Sequence, residues 1–164
     1  MKEINIRDIR KSAAELISDG WGLVTAGNEE KFNTMTVSWG ALGEIWGKDA
    51  AFIFIRPQRY TFEFIEKEEI FTLAFFSEEY KDALKICGTK SGRDIDKAKE
   101  CGFTPAFVDG TVTFEEAEYT LVCRKMASQF LDPAGFIDPA IENNYARKDY
   151  HKMYIGEIIK VYSK

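Results

Sequence analysis

Several things are scarce in this chain of 164 residues, and each scarcity removes a class of function. No stretch approaches the roughly eighteen to twenty consecutive apolar residues that cross a bilayer as a helix. There are three cysteines, Cys87, Cys101 and Cys123, with no CxxC. That odd number fits neither a disulfide framework nor a typical zinc site. His151 is the only histidine, which excludes a multi-histidine metal site. It would also have to serve any Ser–His or Cys–His arrangement. No GxSxG elbow, GxGxxG fingerprint or GxxxxGK[ST] loop occurs. Basic residues number 22 against 27 acidic ones, a net charge of -5, so there is no general pull toward nucleic acid or acidic membranes. Repeats, low-complexity tracts and linkers are absent, and residues 1–164 read as one domain. The opening "MKEINIRDIRKSAAELI" carries charges throughout and lacks a secretory apolar core, so the expected location is the cytoplasm.

What is present is short-period apolar patterning. Residues 7–19 read as a first helix, with Ile9, Ala13, Leu16 and Ile17 in one stripe. "WGLVTAG" and "NTMTVSW" read as strands joined by a polar turn, and "GALGEIWGKD" as a glycine-rich connection. "AFIFI" is short and wholly apolar, as in a strand buried on both faces. A helix capped by Thr61 follows, then the strand "IFTLAFF" and a helix capped by Ser77. After "GTKSGRD" a short helix is expected, capped by Ser91 or Asp94. "TVTFEEAEYTLVCRKM" reads as one long strand with a bulge at Glu115 and Glu116. "HKMYIGEIIKVY" is the last strand. Helices do not follow every strand, so a doubly wound parallel sheet fits poorly. The expected fold is mainly β: an antiparallel barrel with peripheral helices.

Four stretches could carry chemistry. In "NTMTVSW", Thr34, Thr36 and Ser38 share one strand face, opposite Met35, Val37 and Trp39. The hydroxyl face suits either solvent or a flat ligand that needs close approach and hydrogen bonds. In "RPQRYT", Arg56 and Arg59 flank a turn with Thr61 close by, which suits phosphate oxygens or simply two solvated arginines. "CGTKSGR" offers Lys90, Ser91 and Arg93 beside two glycines, either an anion loop or a solvated one. His151 could be structural, could hydrogen-bond a ligand, or could donate a proton near neutral pH. Glu157 shares a strand face with Ile155, Ile159 and Val161, an odd place for a charge unless it is partnered or at a subunit boundary.

At these residues the chain resembles the flavin reductase-like domain family, with its FMN-binding split barrel, particularly the flavoredoxin-like branch. The stretches are "WGLVTAG", "FNTMTVSWGALGEIW", "AFIFIRPQRYTFEFIE", "FTLAFF", "CGTKSGRDIDKAKE", "FEEAEYTLVCRK" and "KDYHKMYIGEI", in order over nearly the whole chain. The resemblance implies a Greek-key antiparallel barrel, a homodimer, and FMN held noncovalently near the subunit boundary. It places Thr34, Met35, Thr36, Val37 and Ser38 along the flavin ring, with Trp39 and Gly40 beside it. Arg56, Arg59 and Thr61 would approach the phosphate, joined by Lys90, Ser91 and Arg93, and His151 would sit by the cofactor or substrate as the catalytic candidate. NADH or NADPH is the implied electron donor, passing hydride to the flavin, with an unidentified acceptor. A flavoredoxin-like carrier reduced by a partner protein and a non-catalytic flavin-binding module are the alternatives. Asp49 follows Lys48 where relatives often have proline, which would put a negative charge near the expected phosphate pocket.

Overall fold

The computed structural model describes residues 1–164. Its strands are β1 (Lys2–Ile4), β2 (Gly22–Gly27), β3 (Phe32–Val37), β4 (Gly40–Ile45) and β5 (Lys48–Ile55). Helix α1 (Tyr60–Lys67), β6 (Ile70–Phe75), α2 (Lys81–Thr89) and α3 (Lys97–Cys101) come next. The chain ends with β7 (Pro105–Val108), β8 (Thr111–Phe114), β9 (Tyr119–Phe130) and β10 (Lys152–Ser163). No helix is long and apolar enough to cross a membrane.

Seven strands run in the order β3-β2-β6-β9-β10-β5-β4, with β1 added on β10, and every pairing is antiparallel. The sheet curls around one core, but β3 and β4 remain its two ends, so the barrel is split. Alternation along the strands sets what each face buries. Val24, Ala26, Met35, Val37, Leu73 and Leu121 point into the barrel. Leu23 and Ala74 point outward, where Leu84, Cys87, Ala98 and Phe103 cover them. Burying each Val or Leu contributes roughly 1.5–3 kcal/mol. A slip of one residue would exchange Val24 for a threonine hydroxyl, so register is strongly fixed. In β10, Gly156 sits at a register shift where an added Cβ would lie 2.8 Å from the Phe71 ring and 2.9 Å from Cys123 Cβ. Only glycine lets the strands approach there.

The structure corrects several expectations. Residues 7–19 are not one helix. A capping box between Asn5 and Asp8 closes a 3-10 turn at Ile6–Asp8, the chain then extends at Ile9, and a π-helical turn spans Glu15–Asp19. Leu16 and Ile17 are nonetheless buried. The glycine-rich "connection" is β4, returned onto β5 through a tight turn in which Trp46 and Gly47 both have positive φ (55° and 71°). The long strand with a bulge is two strands. β8 pairs with β7, and the chain turns at 115–118 because Glu116 accepts from Thr104 N and Ala117 N donates to Phe114 O. Thr61, Ser77, Ser91 and Asp94 do not cap the helices. Arg59 precedes α1, Ser77 bonds Glu79 ahead of a 3-10 turn, and Asp96 caps α3 by accepting from Lys99 N. Glu157 is partnered, by Lys48 at 2.6 Å and Arg124 at 2.9 Å. Asp49 pairs with Arg7, at the opposite end of β5 from Arg56. Seven residues of extended chain span about 23 Å, so its charge lies far from Arg56 and the phosphate expected there.

Candidate functional site

Beside the split, between the end of β3 and β5, lies a cleft of about 270 Å³. The end of β3 and the residues after it supply one wall through Met35, Thr36, Val37, Ser38 and Trp39. Phe54, Arg56 and His151 face them, with Arg59 and Gly88 at one end. A second cleft of about 250 Å³ shares Arg59 and continues past the first turn of α1 to Thr61, Lys90, Ser91, Arg93 and Lys97. Four cations line this second cleft and no carboxylate does. A larger adjoining cleft, about 400 Å³, carries Glu30, Asp94 and Asp96 and is a poorer place for an anion.

Two of the four cations are exceptional. Lys97 is only 5% exposed; its Nζ donates to the carbonyls of Thr34 and Cys87, 2.8 Å each. An ammonium has three donors, so one is left over. Burial pushes the pKa of Lys97 down to about 8. Arg59 donates from Nη2 to the Gly88 carbonyl at 2.5 Å, and burial, then the nearby Arg56, lower its pKa. Neither has a carboxylate partner. Buried charges are ordinarily paired, because desolvation without a counter-charge is costly. Lys97 is such a buried charge, and no carboxylate of the second cleft balances it or the half-buried Arg59, so the cleft suits an anion.

The structure brings some of the expected residues together and reassigns others. Lys90 and Ser91 line the cationic cleft, and Ser91 Oγ also accepts from Arg93 N. Arg93 lines it too, but its guanidinium is shared with Glu63, the Gln58 carbonyl and the Tyr60 ring. Thr61 is buried behind that cleft and accepts from Asn33 Nδ2 at 2.7 Å. The hydroxyl face of β3 is not open. Thr34 donates to Val24 O and pairs with Thr25, while Thr36 donates to Leu84 O of α2. Helices α2 and α3 cover that face, so Thr34 offers no free hydroxyl and the cleft is walled by the strand's end instead. Gly40 lies in β4 opposite Ile53, where an added Cβ would sit 2.7 Å from Phe52 O, and does not line the cleft.

Arg56 departs furthest from the phosphate role. Nη1 donates to Asp149 at 2.7 Å, Nη2 donates to the Asn144 carbonyl at 2.9 Å, and the guanidinium lies over the Tyr145 ring at 5.1 Å. It clasps the 131–150 segment against the barrel. That segment delivers Tyr145, whose hydroxyl hydrogen-bonds His151 Nδ1 at 2.9 Å. His151 is buried and its ring packs on Trp39, centroids 4.9 Å apart. Burial, then the charge of Arg56, pushes the histidine pKa down to about 4. His151 is thus neutral at neutral pH, a buried imidazole at the wall of the cleft, hydrogen-bonded to Tyr145.

The residue that sequence reasoning missed is Lys97. One signal was available. Lys97 is the first residue of α3, where a cation opposes the helix dipole. Such a placement asks for another reason.

The family model for the flavin reductase like domain matches residues 14–164, and the chain belongs to that family. The fold is shared with an FMN-binding domain of a flavin reductases-like enzyme from Shewanella baltica OS155, at 19% identity and TM-score 0.71, over 99% of this chain and 76% of that one. A flavoredoxin from Methanosarcina acetivorans gives 20% identity and TM-score 0.69, covering 100% and 76%. An FMN-binding protein from Thermus thermophilus with bound p-hydroxybenzaldehyde gives 19%, TM-score 0.69, and coverage of 88% and 71%. At these identities the likeness is one of fold. No curated protein matches the chain.

Proposed function

We propose that this protein binds FMN across the two joined clefts and acts as an NAD(P)H-linked oxidoreductase that passes electrons to a second acceptor. The observation that carries the reading is the pair of carboxylate-free cations in the second cleft, buried Lys97 and half-buried Arg59, with Arg59 shared by the first cleft. A cofactor with a flat apolar body and a terminal phosphate matches both parts. Arg59, Lys97, Lys90 and Ser91 would hold the phosphate. Met35 to Trp39 would border the ring. When bound, FMN supplies two-electron chemistry with a nicotinamide and one- or two-electron chemistry with an acceptor. The chain's own work is to bind, orient and exclude water. His151 presents a neutral wall, held from behind by the Tyr145 hydroxyl, and Arg56 holds the segment that carries Tyr145.

A second reading, an electron carrier reduced by a partner protein, is favoured by Trp39. It is 44% exposed at the cleft yet packed on His151, which leaves the site near the surface. A homodimer and a cytoplasmic location complete the proposal. The dimer is supported by the large apolar side chains left exposed at Trp46, Phe130 and Ile137. The test is an anaerobic absorbance spectrum of the FMN-loaded protein before and after NADH or NADPH. Prompt bleaching supports the reductase. Bound flavin that stays oxidised supports the carrier. Absence of bound flavin overturns both.

A further inference from the structure

The third cysteine, Cys123, is a buried core thiol whose only hydrogen bond is to Leu121 O. The other two are placed differently. Cys87 ends the buried face of α2 and Cys101 ends α3, and their sulfurs lie 3.6 Å apart as free thiols. The chain between them is "CGTKSGRDIDKAKEC". It contains Lys90, Ser91, Arg93 and Lys97, which line the cationic cleft. Cys87 also supplies a carbonyl to Lys97 Nζ, and its neighbour Gly88 supplies the carbonyl to Arg59. The sulfur pair therefore stands at the neck of this loop, touching the cleft's cations through the Cys87 end.

We propose that Cys87 and Cys101 are a redox-modification site: a peroxide-class oxidant links them in a reversible disulfide that closes the neck of the phosphate-binding loop and slows cofactor release. The consequence for the cofactor rests on the FMN reading above; the cross-link itself does not. Cys101 is half-buried and Cys87 fully buried, so the oxidant reaches Cys101 first. Peroxide transfers oxygen to the Cys101 sulfur: an S–O bond forms, the O–O bond breaks and water leaves. The Cys87 sulfur then attacks that atom. The S–S bond forms, the S–O bond breaks, and a second water carries away the remaining proton. Two thiols lose two electrons in all, and one peroxide becomes two waters. A dithiol reductant reverses the link. Burial raises both thiol pKa values, that of Cys87 to about 12, so the thiolate fraction is small and the reaction is slow at neutral pH, faster as pH rises. Closing the loop removes conformational freedom that cofactor binding would otherwise have to remove.

The experiment treats the full chain, with and without FMN, with hydrogen peroxide. Free thiols are then alkylated and peptides weighed. The expected product is a Cys87–Cys101 peptide lacking two hydrogens, with Cys123 alkylated only after unfolding. Thermal stability should rise on oxidation and fall back with dithiothreitol, and FMN should leave the oxidised form several-fold more slowly. Cys101→Ser and Cys87→Ser should each abolish all three changes. Oxygenated Cys101 without a cross-link overturns the proposal. So does a cross-link that alters neither stability nor FMN release. If neither form binds FMN, a cross-link that raises stability upholds the staple and rejects the flavin reading instead.

Discussion

Lys97 gives the sharpest prediction, because its burial makes its charge titrate in an accessible range. Its ammonium is held by two carbonyls and no carboxylate, with a pKa near 8 in the cofactor-free protein. A bound phosphate stabilises the charged form, so the pKa rises in the complex. Protons are then taken up on binding above pH 8, and the affinity for FMN falls as pH rises from there. Below about pH 8 the profile is flat; above it the dissociation constant grows by up to about tenfold per pH unit until the pKa of the complex is reached. Phosphate's own second ionisation, near pH 6, is complete through this window and does not confuse it. Lys97→Met removes the break entirely. It also weakens FMN at neutral pH by about 1.5–3 kcal/mol, the range for a charged hydrogen bond, or roughly 10–100-fold. Fluorescence titration of FMN into both proteins, from about pH 7 to 9.5, reads both effects. Equal pH profiles for the two proteins would refute the reasoning. The same shift acts on folding with the opposite slope. Between about 8 and the unfolded value of 10.5 the unfolded chain holds the extra proton, so cofactor-free stability rises with pH across that window.

Other predictions are briefer. Arg59→Ala should weaken FMN by about 1.5–3 kcal/mol through the same loss of a charged contact, and unchanged affinity by fluorescence titration would remove Arg59 from the site. Asp149→Asn should loosen the 131–150 segment, seen as faster hydrogen exchange there, while the affinity for FMN changes less than in Arg59→Ala, since Arg56 spends its donors on Asp149 and Asn144. The imidazole of His151, followed by proton NMR, should stay neutral down to about pH 4. As pH falls from the unfolded value of 6.5 toward about 4, the unfolded chain binds the proton first and this group's stability contribution is lost. Gly92→Ala would drive a Cβ into the Asn33 side chain that holds Thr61. We expect a lower melting temperature together with weaker FMN binding.

Much of this was written locally in the chain. Period-two alternation in "WGLVTAG" and "NTMTVSW" located β2, β3 and the barrel face of each, because strand side chains alternate whatever the tertiary context. The cluster at Arg59, Lys90, Ser91 and Arg93 was legible as local polarity near glycines. What covers a face was not legible. Thr34 and Thr36 look solvent-facing until α2, some fifty residues on, is laid over them. Arg56 looks free until Asp149, 93 residues away, takes its guanidinium. Lys97 stands between Asp96 and Glu100 and reads as a solvated helix start; only the packing of Ala98 and Phe103 turns it inward. β4 was hidden because its glycines and exposed positions lack a buried stripe.

The central claim is that the carboxylate-free cations exist for a phosphate. The most direct measurement compares FMN with riboflavin, which has the same ring and no phosphate, by equilibrium titration of the purified protein. Two charged contacts at about 1.5–3 kcal/mol each predict that FMN binds at least roughly a hundredfold more tightly, and that the advantage shrinks in Lys97→Met. Equal affinity for the two flavins would contradict the account.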